Sequence, residues 1–188
     1  MTADVFIRTL QYPSPQFNIR YPLYDACEAA WCLDSSSLVV RQVPESEPLE
    51  RFHWDARCYA ERTATSKYYI FSDDDILPLG ANWIERALGV AGRNPDYAIL
   101  SGNQVNHSAR VKPQGYEVQP AHMAGSPQLI RKGMIDWTQL SGPGKDEDEI
   151  VGDYCAEHRL LQGVMVNLDV NHIGQGFSVM NPAYWGKY

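Results

Sequence analysis

The sequence predicts a single α/β domain with a mostly parallel central sheet and helices on both faces of that sheet. Strand-like and helix-like patterns alternate along the first part of the chain, which is typical of parallel strands joined by helices. One strand, beginning at Tyr68, is a run of four apolar or aromatic residues that is too short for a buried helix. The length of 188 residues suits one domain with a substantial core.

The first half of the chain provides three strands and two helices. The helical segments contain good helix formers without an internal breaker, and the segments between them are rich in proline or acidic residues. In chain order, we predict a strand at residues 4–10, a helix at 24–33, a strand at 36–43, a helix at 52–65 and the strand that opens at Tyr68.

The second half continues the alternation less regularly. In chain order, we predict a helix at residues 83–92, a strand at 98–105, a loop or short hairpin at 106–119, a turn followed by a short helix within 120–137, a helix ending at 163 and a strand from 163 to 176. No repeat, linker or low-complexity segment divides the chain. Residues 1–188 are therefore predicted to form one domain, with a tail from about residue 174 that we expect to be mobile.

Composition limits the classes of partner and compartment. The net charge of −7 argues against a nucleic-acid backbone or an anionic membrane as the main partner. The four cysteines show no C-x-x-C pair and no zinc spacing, which favours buried thiols in a reducing compartment. We find no signal peptide and no apolar run near the roughly 20 residues of a membrane-spanning helix. We therefore expect a soluble, cytoplasmic protein.

Three consecutive aspartates follow the apolar strand that begins at Tyr68. Because side chains alternate along an extended chain, Asp73 and Asp75 should point the same way and Asp74 the other. Two carboxylates on one side offer a site for a hard divalent cation such as Mg²⁺ or Mn²⁺. Open α/β sheets also bind ligands at the carboxyl ends of their strands. The alternative is a solvated turn whose aspartates cap a helix.

The predicted helix that ends at residue 163 begins with a cluster of acidic residues. On a helical wheel, Glu149 and Asp153 face solvent, whereas Glu147 falls near the middle of the apolar face and Asp148 at its edge. A partly desolvated carboxylate at that edge could serve as a general base. Alternatively, these acids only stabilise the positive end of the helix dipole.

The last predicted strand carries a histidine near its carboxyl end. His172 shares one face with Val164, Val166, Leu168 and Val170 if the strand is regular. A histidine on such a face is commonly a hydrogen-bonded core residue. At a strand end, however, a neutral imidazole could meet the cation, and two aspartates with one imidazole are a sensible set of Mn²⁺ ligands.

Three stretches together resemble the GT-A-fold glycosyltransferases. YYIFSDDDILP resembles their strand and DxD motif, and residues 56–75 look like the segment of family-2 enzymes in which an "ARN" helix precedes that motif. Residues 147–155, EDEIVGDYC, are similar to the "EDVYVG" motif of inverting β1,3-glycosyltransferases. The strand ending in His172 matches the place where many GT-A enzymes carry a metal-binding histidine. The motifs occur in the order found in the family.

The resemblance implies a metal-dependent transfer of a sugar from a nucleotide-diphosphate sugar, most simply a UDP-sugar, to the hydroxyl of a glycan or other acceptor, with inversion. Mn²⁺ or Mg²⁺ held by Asp75 and His172, with Asp73 beside it, would stabilise the leaving diphosphate. Asp148 would accept the proton of the acceptor hydroxyl, and Glu147 is the alternative base.

The resemblance also implies that Arg8 and Thr9, at the end of the first strand, face the donor nucleotide together with Asp73 and Asp74. An ordinary role at a strand end is equally compatible with Arg8 and Thr9. Two other functions stay open: a nucleotidyltransferase of similar layout, and a cation-dependent sugar-nucleotide-binding module without catalysis. The first would normally carry a Gly-rich, basic phosphate loop after the first strand, which this sequence lacks. The second would need no inward-facing acid at Asp148.

Overall fold

The computed structural model describes residues 3–8, 26–32, 40–43, 49–73, 75–106, 111–112, 115–140 and 147–173. Within these ranges the strands are β1 Asp4–Arg8, β2 Val40–Val43, β3 Tyr68–Asp73, β4 Ile76–Pro78, β5 Tyr97–Gln104, β6 Val118–Pro120, β7 Gln128–Arg131 and β8 Leu161–His172. The helices are α1, helical over residues 26–32, α2 Leu49–Thr63, α3 Trp83–Arg93 and α4 Glu147–Glu157, with a 3₁₀ helix at Trp137–Gln139. The predicted tail from residue 174 lies outside the described residues.

The described strands form one mixed sheet in the order β2-β1-β3-β7-β5-β8-β4, with β6 paired to β8. The pairings make β1, β2, β3, β5 and β8 run in one direction and β4, β6 and β7 in the other. The predicted α/β class is therefore confirmed, with β7 inserted antiparallel between β3 and β5. Arg8 at the end of β1 is in register with Asp73 at the end of β3, so these two side chains emerge at one edge of the sheet.

Helices cover both faces of the sheet, as the sequence predicts. Along β3, Ile70 belongs to the apolar cluster under α1 and α3, whereas Tyr69 and Phe71 belong to the cluster under α2 and α4. In the first cluster, Trp31 and Trp83 pack edge to face with ring centroids 5.3 Å apart. The strand that carries the aspartates is therefore buried on both sides, which fixes the position of its carboxyl end.

Two sequence predictions in the second half were wrong. The short helix expected within residues 120–137 is mainly strand β7, because Leu129 and Ile130 are buried in the clusters on opposite faces of the sheet, and only Trp137–Gln139 is helical. The helix expected to reach residue 163 ends at Glu157, and β8 begins at Leu161. Gly163 is a residue of β8, and the position is occupied by glycine because an added Cβ would lie 2.5 Å from Val118 Cγ1.

Two smaller differences concern β6 and the cysteines. The loop or short hairpin predicted at 106–119 leads into β6, a three-residue strand that pairs with β8. Cys27 and Cys155 are buried as expected, whereas Cys32 is exposed. None of the helices in the described ranges has the length and apolar character needed to cross a lipid bilayer.

β8 is not a regular strand, so the condition under which the sequence predicts a shared face for His172 and four apolar residues is not met. Against β5, Ser101 pairs with Val164 and Asn103 with Asp169, so two steps on β5 span five on β8. The Asn103 amide stabilises this irregularity by donating to the Val166 carbonyl and to Asp169 Oδ1, at 3.0 and 3.1 Å. The strand therefore bulges before its carboxyl end and cannot keep all the predicted residues on one face.

Candidate functional site

The centre of the candidate site is the Arg8 guanidinium, at the carboxyl end of β1. It donates hydrogen bonds to the Asp73 carboxylate on β3 and to the Glu147 carboxylate at the start of α4. Burial alone would lower the pKa of this guanidinium, but the carboxylates around it, Asp73, Glu147 and Asp148, raise it well above its ordinary value. A permanent positive charge therefore stands among the acidic residues that the sequence singled out.

Glu147 is held by two arginines. Besides the bond from Arg8, its Oε1 accepts a hydrogen bond from Nε of Arg57 on α2. The Glu147 side chain is only 11% exposed. Two guanidinium groups stabilise its ionised form and occupy its oxygens, which favours an anchoring role over proton transfer.

Arg57 is a buried charged residue that the sequence analysis missed. Its residue is 3% exposed, and its guanidinium carbon lies 4.6 Å from the ring centroid of Phe71 and 4.9 Å from that of Trp137. Its NH1 donates to Oε1 of Gln128 on β7 at 2.7 Å. The available clue was an arginine in the middle of a helix that contributes small apolar residues to the core, within the segment that resembles the "ARN" helix.

Asp148 lies next to this network. Its Oδ1 accepts a hydrogen bond from Nε2 of Gln128 at 3.3 Å, and its charge acts on Arg8. Asp148 is partly exposed. Asp153, one turn further along α4, has a side chain that is 50% exposed, with Oδ1 3.3 Å from Nε2 of His122. The structure thus turns Glu147 and Asp148 toward the sheet and Asp153 toward solvent, as on the helical wheel. Glu149, which the wheel also places in solvent, is only partly exposed, like Glu147 and Asp148.

Asp75 and His172 meet on the other side of the site. Ile76 pairs with His172 in the antiparallel contact between β4 and β8, and this brings His172 Nε2 to 3.1 Å from Asp75 Oδ2. β3 ends at Asp73 and Asp75 lies in the turn before β4, so alternation along a single strand is not what places Asp75. Pairing between distant segments places it instead.

The surroundings of His172 favour its charged form. Burial lowers the pKa of His172, but the hydrogen bond and charge of Asp75, together with the charge of Asp73, raise it above its ordinary value overall. Both partners are mostly buried, with side-chain exposures of 15% for Asp75 and 23% for His172. The influence of Asp73 shows that both predicted carboxylates lie near the imidazole.

The residue types around His172 fit a divalent cation, although the set of ligands is incomplete within the described ranges. Asp75 Oδ1 and His172 Nδ1 are buried and have no hydrogen-bond partner among the described residues. A carboxylate oxygen and an imidazole nitrogen are suitable Mn²⁺ ligands. No group of three His, Cys, Asp or Glu side chains that could hold a metal forms in the described part of the chain. Asp74 and Thr9, both predicted to be site residues, lie outside it.

Solved structures with a similar fold are found, although no family profile and no curated protein matches the chain by sequence. A197 from STIV superposes with a TM-score of 0.54 over 92% of this chain and 85% of that protein, at 12% identity. S. aureus TarS 1-349 superposes with a TM-score of 0.58 over 93% of this chain, at 12% identity. Its complex with UDP-GlcNAc gives 0.53 over 93% of this chain, at 13% identity. This chain spans 61% of the TarS 1-349 chain.

At these identities the similarity establishes the fold and nothing finer. The chain has a GT-A-like, Rossmann-type fold. The predicted fold class is thereby confirmed. On that fold, the described candidate residues lie at the carboxyl ends of strands, in the turn that follows β3 or in the first turn of α4.

Proposed function

We propose that this protein is a glycosyltransferase that moves a sugar from a nucleotide-diphosphate sugar, most simply a UDP-sugar, to an acceptor hydroxyl with inversion. The observation that carries the proposal is the convergence of Arg8 with three carboxylates, those of Asp73, Glu147 and Asp148, beside a mostly buried Asp75–His172 pair. Ligands of open α/β sheets bind at such ends. The crystal structure of TarS 1-349 in complex with UDP-GlcNAc, which shares the fold, supports a nucleotide-sugar donor.

Arg8 is the group best suited to the donor's diphosphate. The protein is acidic overall, so a diphosphate needs a local positive charge. The Arg8 guanidinium remains ionised, and a guanidinium is a fork of donors that matches phosphate oxygens. A bound diphosphate would share these donors with Asp73 and Glu147, which accept from Arg8 in the structure. The proposal also assigns contacts with the nucleotide to Asp73 and, outside the described residues, to Thr9 and Asp74.

Asp75 and His172 would hold the divalent cation, with Asp73 beside them, and the cation would take the place of the proton that these carboxylates favour on the imidazole. When bound, Mn²⁺ or Mg²⁺ would offset the negative charge that develops on the leaving diphosphate. Asp75 Oδ1 and His172 Nδ1 are buried and find no partner within the described ranges. They support this assignment, because buried polar atoms in native proteins are normally satisfied by protein, water or a ligand.

We assign the general base to Asp148 and an anchoring role to Glu147. A neutral amide donates to Asp148, whereas two guanidinium groups hold Glu147. In the proposed step, Asp148 accepts the proton of the acceptor hydroxyl as its oxygen attacks the anomeric carbon. The bond between that carbon and the diphosphate oxygen breaks, and the diphosphate leaves with the electron pair.

Calorimetric titration with UDP-GlcNAc and a panel of other nucleotide sugars, with and without MnCl₂, tests the proposal together with an assay of sugar release to water or simple acceptors. We expect binding that requires Mn²⁺ and slow release of the sugar. Binding without release would favour a non-catalytic module. Pyrophosphate release from a nucleoside triphosphate and a sugar phosphate would favour a nucleotidyltransferase. Absence of nucleotide-sugar binding would rule the proposal out.

A further inference from the structure

We infer that Arg57 and Gln128 form a buried relay that positions the Asp148 carboxylate, an inference that rests on the proposed function. Neither residue is predicted to touch donor or acceptor. Arg57 contacts Gln128, Gln128 contacts Asp148, and both relay residues are almost completely buried, at 3% and 1% exposure. In this relay, Gln128 is a positioning residue and Arg57 holds it in place.

The relay begins at a guanidinium that has little freedom to move. Arg57 packs against the rings of Phe71 and Trp137, and its Nε donates to Glu147. A buried arginine is costly unless its charge is paired, and the Glu147 carboxylate pairs it here. Stacking and ion pairing together fix the direction of the NH1 group that faces Gln128.

The chemistry of arginine then fixes the orientation of the Gln128 amide. A guanidinium has donors and no acceptor, so the atom of Gln128 that faces Arg57 must be Oε1. Nε2 consequently points the other way, where it donates to the Ala124 carbonyl and to Asp148 Oδ1. Each of the two Nε2 hydrogens has an acceptor, and a flipped amide would lose all three bonds.

Through these bonds, one arginine controls two consecutive residues of α4. It holds Glu147 directly and Asp148 through Gln128, so it fixes the first turn of the helix and the direction of the Asp148 carboxylate. A base displaced by about 1 Å can cost roughly 10²-fold in rate. The relay therefore gives a reason why the acidic first turn of α4 packs against the buried Arg57 guanidinium and is not left in solvent.

Two substitutions of Gln128 separate positioning from folding. Gln128→Glu keeps an acceptor for Arg57 but replaces the donor to Asp148 by a second carboxylate, while Gln128→Met removes all three side-chain hydrogen bonds of Gln128. We expect either change to lower kcat for sugar transfer by roughly 10–100-fold with little change in donor affinity. Gln162→Met is the matched control, because Gln162 is also buried and donates to a backbone carbonyl, that of His122 at 2.9 Å.

A double-mutant cycle shows whether Gln128 acts through Asp148. In an Asp148→Asn background, Gln128→Met should have almost no further effect on kcat, because the group that it positions has gone. Equal effects of Gln128→Met in both backgrounds would mean that Gln128 affects transfer by another route and would overturn the inference. A Gln162→Met variant as slow as Gln128→Met would overturn it as well.

Side-chain amide NMR without substrate tests the relay independently of activity. The two Gln128 Nε2 protons, assigned by their loss in Gln128→Met, should exchange slowly with water. Asp148→Ala should accelerate the exchange of one of them, and Asp153→Ala should leave both unchanged. No response to Asp148→Ala overturns the relay at any level of activity. If Asp148→Ala does accelerate the exchange but the protein transfers no sugar, the contact between Gln128 and Asp148 stands. The proposed function and the catalytic role of the relay are then both overturned.

Discussion

The two sides of the candidate site differ in how completely their polar groups are paired. On one side, Arg57, Glu147 and Gln128 exchange hydrogen bonds in a network packed against aromatic rings. On the other side, Asp75 and His172 contact each other, yet each keeps a buried atom without a partner among the described residues. The comparison teaches that a network in which every polar group has a hydrogen-bond partner fixes the positions of its side chains. A pair that retains unpaired polar atoms is instead the place where a bound ion would add most stability.

If the paired side exists to present a base, removing that base should have the largest effect on function. Asp148→Asn keeps the shape of the side chain and removes the proton acceptor. Transfer should fall by roughly 10²–10⁴-fold while calorimetry shows nearly unchanged donor affinity. Asp153→Asn, on the exposed part of α4, is the control and should transfer normally. If Asp148→Asn were fully active and Glu147→Gln inactive, the general base would be Glu147 and not Asp148.

The next largest effect should be a loss of stability when the buried guanidinium of Arg57 is removed. Arg57→Met removes a partner of Glu147 and should lower the free energy of unfolding by about 3 kcal/mol. This is the lower end of the range for breaking a buried pair, because Arg8 still contacts Glu147. Denaturation in urea measures the loss, and exposed Arg86→Met is the matched control.

The double variant Arg57→Met/Glu147→Gln sharpens this test. It removes the Arg57 guanidinium and the Glu147 carboxylate together, so it leaves fewer buried charges unpaired. The loss in the free energy of unfolding should therefore be smaller than the sum of the losses in the two single variants. A loss of stability that is simply additive would show that the Arg57–Glu147 contact contributes no coupling energy. The description of that side as a paired network would then be wrong.

On the unsatisfied side, substitution should affect ion binding more than folding. His172→Ala and Asp75→Ala should each weaken Mn²⁺ binding at least about tenfold in calorimetric titration. The free energy of unfolding without metal should change by less than about 1 kcal/mol, because the pair lacks a full set of hydrogen bonds. Asp75→Ala should also abolish Mn²⁺-dependent nucleotide-sugar binding.

His122→Ala is the control for that prediction. His122 also contacts an aspartate, Asp153, at 3.3 Å, but both side chains are at least half exposed. Its removal should leave Mn²⁺ affinity unchanged. A large loss of stability in His172→Ala with unaltered Mn²⁺ affinity would instead identify His172 as a core residue.

The smallest effect is expected at Glu117, whose pairing with Arg93 repeats the chemistry of Glu147 and Arg57 on the surface. A hydrogen bond from Arg93 keeps the pKa of Glu117 below its ordinary value of about 4.3. Its contribution to stability is therefore present above that value and is lost as the pH falls below it. Glu117→Gln should slightly flatten the acid limb of a urea-midpoint profile at low salt and change nothing at high salt. If Glu117→Gln lowered the free energy of unfolding as much as Arg57→Met does, burial could not explain why the Arg57–Glu147 pair contributes more to stability than the Arg93–Glu117 pair.

Local sequence was sufficient for strand β3, for the first turn of α4 and for the location of the acidic groups that they carry. Four apolar residues before an aspartate predict a buried strand and its carboxyl end at Asp73, and the wheel of α4 turns Glu147 and Asp148 inward. These features depend on short-range patterns of burial, which a strand or helix repeats every two or every 3.6 residues. They could therefore be predicted without knowing which elements are neighbours.

Other features depend on neighbours that are distant in sequence. The segment of β7 contains no strong strand pattern, and it is a strand because β3 and β5 pair with its two edges. Asp75 and His172, 97 residues apart, meet because β4 pairs with β8 beyond a bulge that the Asn103 amide stabilises. Periodicity carries no information about such pairings, since they are set by the packing of the whole sheet.

The sequence by itself determined which strand ends and which helix turn carry the acidic residues, because apolar patterning decides what is buried and where burial stops. Only the tertiary structure decided how those residues are paired. Arg57 and Gln128 look like ordinary helix and loop residues along the chain, yet packing brings them between Phe71 and Asp148. Hydrogen bonding of buried polar groups has to be satisfied across elements, and its partners are fixed only when the elements meet.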